Sequence, residues 1–274
     1  MRLRLLLACL GTLAVIAAPA AQSDLDQLMG RVLAERDRNW ARLQQYVLEE
    51  RESFRVTGGA MIGLFGFERE YSWFPSEGVF VRSPRRVDGV AISQSERQKA
   101  EEEWIRREQR RRIQEPRFVS AAYFLRFTFD PGQYALVGRE KMLGRDVLKI
   151  EYYPTQLFTE GRTRPNRSLR ERDEDVDDKM NKASVVTMWV EPNAHQILQY
   201  ELLNVDMDFL PGRALMRMEG MRATMRMGEP FAGVWLPSTL QIWFKAAMAV
   251  GTIEAAYDTT YYDYKLAAVT TRVR

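Results

Sequence analysis

Apolar residues recur every three or four positions over residues 24–43, at Leu25, Leu28, Met29, Val32, Leu33, Trp40 and Leu43. That spacing predicts a helix with one buried face, capped by Ser23 or Asp24. From Tyr46 the period falls to two: Tyr46, Leu48 and Glu50 alternate with Val47, Glu49 and Arg51, and the run continues through Phe54 and Val56. This predicts a long first strand, ended by Gly58-Gly59. Further strands are predicted at 67–74 and 79–82. Residues 93–115 break the pattern. Glu102 and Arg106, Glu103 and Arg107, and Glu108 and Arg112 lie four apart with the acid first, as on an exposed helix. Its apolar residues are few: Ala100, Trp104, Ile105 and Ile113. Pro116 ends it, and 118–127 reads as a short buried helix.

The remainder reads as antiparallel sheet. Strands at 134–141 and 146–153 flank Gly144 as a hairpin. Residues 155–183 form a polar, acidic connection. Strands at 184–191 and 195–208 meet at Pro192-Asn193, and Pro211-Gly212 turns the chain again. Strands at 215–227, 235–248 and 252–266 complete a meander. Such lengths, in sequence-neighbour order, fit a barrel or a strongly curved sheet. The expected fold is therefore mainly β with helices (α+β). It is an open antiparallel β-barrel or curved sheet, covered by the N-terminal helix and the inserted charged helix, in one domain over residues 21–274.

Methionines mark the candidate binding surface. Met216 and Met218 share one strand face, and Met221, Met225 and Met227 share one, but the phase slips at Glu219-Gly220. A β-bulge there, with the glycine left-handed, would bring both sets to one face. Methionine is flexible and polarizable and suits a surface that accepts varied apolar shapes. Leu148 and Ile150 on one strand, and Leu240, Ile242 and Phe244 on another, form matching apolar faces. Tyr257, Tyr261, Tyr262 and Tyr264 add aromatic surface. Such a face would either line a cavity for acyl chains or form an ordinary packed core. The Gly-rich apolar stretch 59–67, with Met61, Ile62, Leu64 and Phe65, would contact membrane or a lipidated partner if exposed, and would plug the barrel if folded inward. Trp104 and its helix form either a solvated surface or a partner-docking element.

Composition then removes alternatives. One Cys, Cys9, and one His, His195, cannot build a zinc or transition-metal site. His195 has no evident catalytic partner, and no nucleophile-elbow, zincin or phosphate-loop motif occurs. Asp173, Asp175 and Asp177 have the spacing of a calcium loop, but Asp178 and Ser184 stand where Gly and Glu are needed. No metal or cofactor is expected, and no enzymatic activity. The charge of +3, from 40 basic and 37 acidic residues, leaves no nucleic-acid footprint. Residues 1–20 read as a cleaved export signal, with Arg2 and Arg4, an apolar run of about 14 residues too short to span a bilayer, and Ala18-Pro19-Ala20. Cleavage after Ala20 or Ala21 would leave a cysteine-free chain with a charge of +1. Arginines outnumber lysines 33 to 7, pointing to a GC-rich bacterial genome and the periplasm.

Several stretches resemble the LolA/LolB-like family of periplasmic lipoprotein carriers and outer-membrane lipoprotein-sorting proteins. Residues 136–140 with 144–151 and Pro154 resemble a mid-chain hairpin of that family. Residues 187–199 resemble its Trp-Val-Glu-Pro strand–turn–strand, residues 233–237 its Gly-x-Trp-Leu-Pro opening, and residues 261–265 its final strand. The long helix at 93–115 and the acidic loop depart from the small carriers. The resemblance implies an open barrel with an apolar cavity, and a non-enzymatic role binding lipid or acylated protein in lipoprotein sorting, with transient membrane contact. The alternative is an envelope protein-interaction or regulatory module with a solid core.

Overall fold

The computed structural model describes residues 18–59, 62–76, 78–110, 121–154, 184–204, 216–249 and 251–267. Residues 1–17 of the expected export signal, the calcium-like aspartates, the acidic connection and Met61 lie outside these residues. Eleven strands form one antiparallel sheet that does not close. They are β1 (Tyr46–Thr57), β2 (Gly63–Ser76), β3 (Val79–Val87), β4 (Val90–Ala91), β5 (Tyr134–Met142), β6 (Arg145–Tyr152), β7 (Ser184–Glu191), β8 (Gln196–Asn204), β9 (Met216–Phe231), β10 (Val234–Met248) and β11 (Gly251–Leu266). The helices are α1 (Ala18–Leu43), α2 (Gln94–Arg110) and α3 (Ala121–Arg126). None is long and apolar enough to cross a membrane among the described residues.

The strand order is β4-β3-β2-β1-β11-β10-β9-β8-β7-β6-β5. Sequence neighbours pair with one exception: the first strand meets the last, β1 with β11. The sheet opens instead between β4 and β5, where α2 and α3 are inserted. α1 begins at Ala18, six residues earlier than its apolar period announces. Met29, Val32, Asn39 and Leu43 form its buried stripe, and it packs on β5, β8, β10 and α3. Two polar residues lie along that stripe. Asn39 donates to Gln196 Oε1 at 2.7 Å, and Arg36 donates to the Phe127 carbonyl at 2.6 Å.

Several boundaries differ from the periodicity. β3 runs on to Val87 because a bulge beside Pro84 absorbs the interruption. β2 begins at Gly63, since the glycine-rich stretch pairs with β1 instead of looping out. Gly66 is needed there: a Cβ would sit 2.9 Å from the Phe54 carbonyl. The β5–β6 hairpin turns through Leu143 and Gly144, both at positive φ, as a two-residue type I′ turn requires.

α2 is a surface helix with no buried residue. Ser93 caps it: its Oγ accepts from Glu96 N at 3.3 Å, and Glu96 Oε2 accepts from Ser93 N at 3.2 Å, a reciprocal capping box. The pairs Glu102–Arg106 and Glu103–Arg107 stand at 3.7 and 3.6 Å. Trp104 donates to the Phe80 carbonyl at 3.0 Å and meets Trp73 edge-on at 5.6 Å. The helix thereby covers part of β3 near the sheet margin, beyond the two-residue β4.

Candidate functional site on the inner sheet face

One face of the sheet carries the core, and its two halves are finished differently. Over β5–β8, the face is filled. Tyr134, Leu148, Ile150, Tyr152, Val186, Met188, Tyr200 and Leu202 are buried in one cluster with Met29 and Val32 of α1 and Phe124 and Leu125 of α3. Phe124 meets Tyr200 at 6.0 Å, and Phe127 meets Tyr152 edge-on at 5.9 Å. Leu148 and Ile150 therefore sit inside packed core.

Over β9–β11 and β1–β2, apolar residues pass from buried to exposed toward the hairpin end. Register pairs Met225 with Leu240, Ala223 with Ile242, Met221 with Phe244, Met218 with Ala246 and Met216 with Met248. A register shift opposite Lys245 and Ala246 leaves Glu219 as the extra residue and brings Met218 onto the face of Met221, Met225 and Met227. Gly220 is not at positive φ, so the bulge forms without the expected left-handed glycine. Met221, Met225 and Met227 are buried, Met218 and Phe244 are half-buried, and Met248 is 39% exposed. Across β11 and β1, Phe54, Phe65 and Phe67 form an aromatic group with centroids 5.5–6.1 Å apart. At its tip Ile62, Leu64 and Phe65 are 63, 60 and 61% exposed. The apolar stretch is thus outward-facing at its end.

Further along β1 the same face becomes ionic. Leu48, Glu50, Glu52 and Phe54 alternate inward, and Glu50 and Glu52 are 2 and 3% exposed. Arg82 of β3 lies between them. Its Nε donates to Glu50 Oε2 at 3.2 Å, and its Nη2 donates to Glu50 Oε1 and, at 2.7 Å, to Glu52 Oε2. Its guanidinium stacks 3.5 Å over the Tyr71 ring. Trp73 Nε1 donates to Glu50. The hydroxyls of Tyr257 and Tyr71 donate to Glu52 at 2.6 and 3.1 Å. Burial pushes the Glu52 carboxyl up, but Arg82 and the hydrogen bonds from Tyr257, Arg82 and Tyr71 together hold it below its ordinary value. Burial and the Glu52 charge both push the Tyr257 phenol up. Burial opposes the charge of Arg82, and Glu50 with Glu52 more than restores it.

A bulge at Asp263, at φ 54, places Tyr264 on the same side as Tyr261. Tyr264 donates to the Pro237 carbonyl at 2.6 Å. Tyr262 is 39% exposed. His195 is at positive φ in the β7–β8 turn, and its Nε2 accepts from Arg31 at 3.1 Å. No group of metal-ligating residues occurs among the described residues. The Glu50–Glu52–Arg82 cluster is the feature that periodicity missed. Its signal was present: Leu48 and Phe54 share a strand face with both carboxylates, so the acids must turn inward with them.

No family model and no curated protein matches the chain. Several solved structures are similar to the chain at low identity. One is a domain described as an outer membrane lipoprotein-sorting protein from Vibrio parahaemolyticus, at 13% identity, covering 89% of this chain and 92% of that one, TM-score 0.35. A DUF1329 family protein from Desulfovibrio piger shows 11% identity, covers 92% and 94%, and has TM-score 0.35. Lipovitellin shows 7% identity, covers 84% of this chain and 26% of that one, and has TM-score 0.36. The open antiparallel sheet with its helices is itself the fold that the strand periods predict.

Proposed function

We propose that this chain is a non-catalytic periplasmic protein that holds acyl chains, of a lipid or an acylated protein, against the inner face of β9–β11 and β1–β2. One observation carries the reading. The apolar face continues from buried Met225 and Leu240 through Met221 and Ile242 to half-buried Met218 and Phe244 and exposed Phe65, without a charged residue on the β9–β10 side. Burying an alkyl chain there is worth about 0.8 kcal/mol per CH₂, and methionines adapt to its contour. Met218, Met221, Phe244 and Ile242 form the contact surface, with Met216 at the register position beyond them. Met225, Met227 and Leu240 support it from within, and Leu148 and Ile150 act as core. Ile62, Leu64 and Phe65, exposed at the same end of the sheet, meet the membrane or acylated partner from which the chain is taken. The basic start and apolar run of residues 1–20, read as an export signal, support the periplasm as its compartment.

Native mass spectrometry of protein purified from its own envelope, with titration of a fluorescent fatty acid, tests this reading. Co-purifying lipid and saturable uptake are expected. Ligand-free protein with no uptake would refute it. A second reading, an envelope interaction module with a solid core, draws on the β5–β8 half, which α1 and α3 fill. That reading expects no uptake and a partner lost on removal of α2.

A further inference from the structure

The inner face is not uniformly apolar, and its polar wall is uneven in charge. Glu50 and Glu52 are both buried, and Arg82 is the one cation shared between them. Arg69 stands at the rim, 3.6 Å from Glu52 Oε1, with its side chain 40% exposed and its guanidinium stacked 3.9 Å over Phe67. At that distance it balances charge without a good hydrogen bond. Glu52 Oε2 is occupied by Arg82 and Tyr257, whereas among the described residues Oε1 holds only Tyr71 and this long contact. Thr259 gives a second, independent sign. It stands opposite Glu52 in the β1–β11 register and opposite Leu240 in the β10–β11 register, and it is 2% exposed. Among the described residues its Oγ1 makes no well-formed hydrogen bond: it only weakly favours the Tyr257 phenolate beside it, and the Tyr257 hydroxyl donates to Glu52. A buried hydroxyl without a partner costs free energy, which an incoming donor would relieve.

Resting on the acyl-chain reading above, we propose that Glu52 and Thr259 receive the ammonium head of an amphiphile whose chain lies along the methionine wall. The substrate class is then a lipid or acylated chain carrying a primary amine. An ammonium has three donors and no acceptor. Glu52 Oε1 and Thr259 Oγ1 offer it acceptors, and the tyrosine rings beside them offer aromatic faces. Arg69 is the group it displaces, since its contact is long and solvated. A carboxylate head would meet two buried acids at the same place and be repelled.

The test titrates the full chain with a pyrene-labelled alkylamine and with the pyrene-labelled fatty acid of equal chain length, at neutral pH. The amine is expected to bind about tenfold tighter or more, the worth of a charge-assisted hydrogen bond. Glu52→Gln should bring the two affinities together. Thr259→Val, which keeps shape, should weaken the amine severalfold and leave the acid unchanged. It decides the question even where Glu52→Gln fails to fold. Equal affinities in the unaltered chain, or an amine preference left undiminished by Thr259→Val, would overturn the proposal and leave the acyl-chain reading standing. Binding of neither probe would overturn both.

Discussion

Replacing Arg82 by Met keeps the length and apolar stem of the side chain and removes its charge. The Arg82 side chain is 19% exposed, and the carboxylates it bridges are 3 and 4% exposed. The variant leaves two buried like charges with only Arg69 at the rim. Breaking a buried pair from one side costs about 3–5 kcal/mol. In a chain of this size each kcal/mol moves the midpoint by about 2–4 °C, so a fall of roughly 10 °C is expected. Urea unfolding and thermal melts at pH 7 read this directly. Adding Glu50→Gln and Glu52→Gln to Arg82→Met should recover much of the loss, with a coupling energy of about 0.5–3 kcal/mol. The pH profile separates the cause from simple packing loss. In the unaltered chain Glu52 lies below its ordinary value of 4.5, so its stabilisation is present above that value and fades as pH falls through the folded value. In Arg82→Met burial acts on Glu52 without its main cation, its folded value rises, and acidification from pH 7 toward 5 should restore stability. A loss under about 1 kcal/mol, the range of an exposed ion pair, or strictly additive variants, would refute the reasoning.

Gly66→Ala should cost about 1–3 kcal/mol by overpacking against the Phe54 carbonyl, whereas Gly63→Ala, with nothing within 4 Å of its Cβ, should be nearly silent in the same melts. Ser93→Ala removes the cap of α2 at about 1 kcal/mol, and hydrogen exchange should show faster opening confined to that helix. Tyr257 and Tyr261 have phenols raised above 10.0, chiefly by burial. The unfolded chain ionises first, so the stability they lend is present below pH about 10 and lost as pH rises toward their folded values. Ultraviolet phenolate titration should therefore show a late class of tyrosines appearing with unfolding. Normal titration of every tyrosine would contradict their burial.

Much of the sheet was legible because strand period and turn chemistry are local. Gly144 and Pro192-Asn193 mark hairpins by themselves, and the slip between Met218 and Met221 announces a bulge from the side-chain period alone. The ionic wall was not legible in the same way. The strand period turns Glu50 and Glu52 inward with Leu48 and Phe54, but the cation that neutralises them, Arg82, stands thirty residues on from Glu52 and no local pattern announces it. Arg36 and Asn39 interrupt the stripe of α1 for a similar reason, since Phe127 and Gln196 lie far along the chain. The β1–β11 pairing is equally distant. What carries α1 across β5, β8 and β10, with α3 beside it, is set by the path of the chain between elements, which no single segment encodes.

The join between the first and last strands also fixes an order of events. Glu52 and Tyr257, bonded across that join, lie 205 positions apart in sequence. Until β11 is available, β1 and β10 both present unpaired edges, and the Glu50–Glu52 pair lacks the strand that seals one side of it. Closure of a contact that distant is slow by topology alone. The chain must therefore remain open along this seam for as long as its C-terminal strand is missing, which makes it a protein that completes itself only at the end.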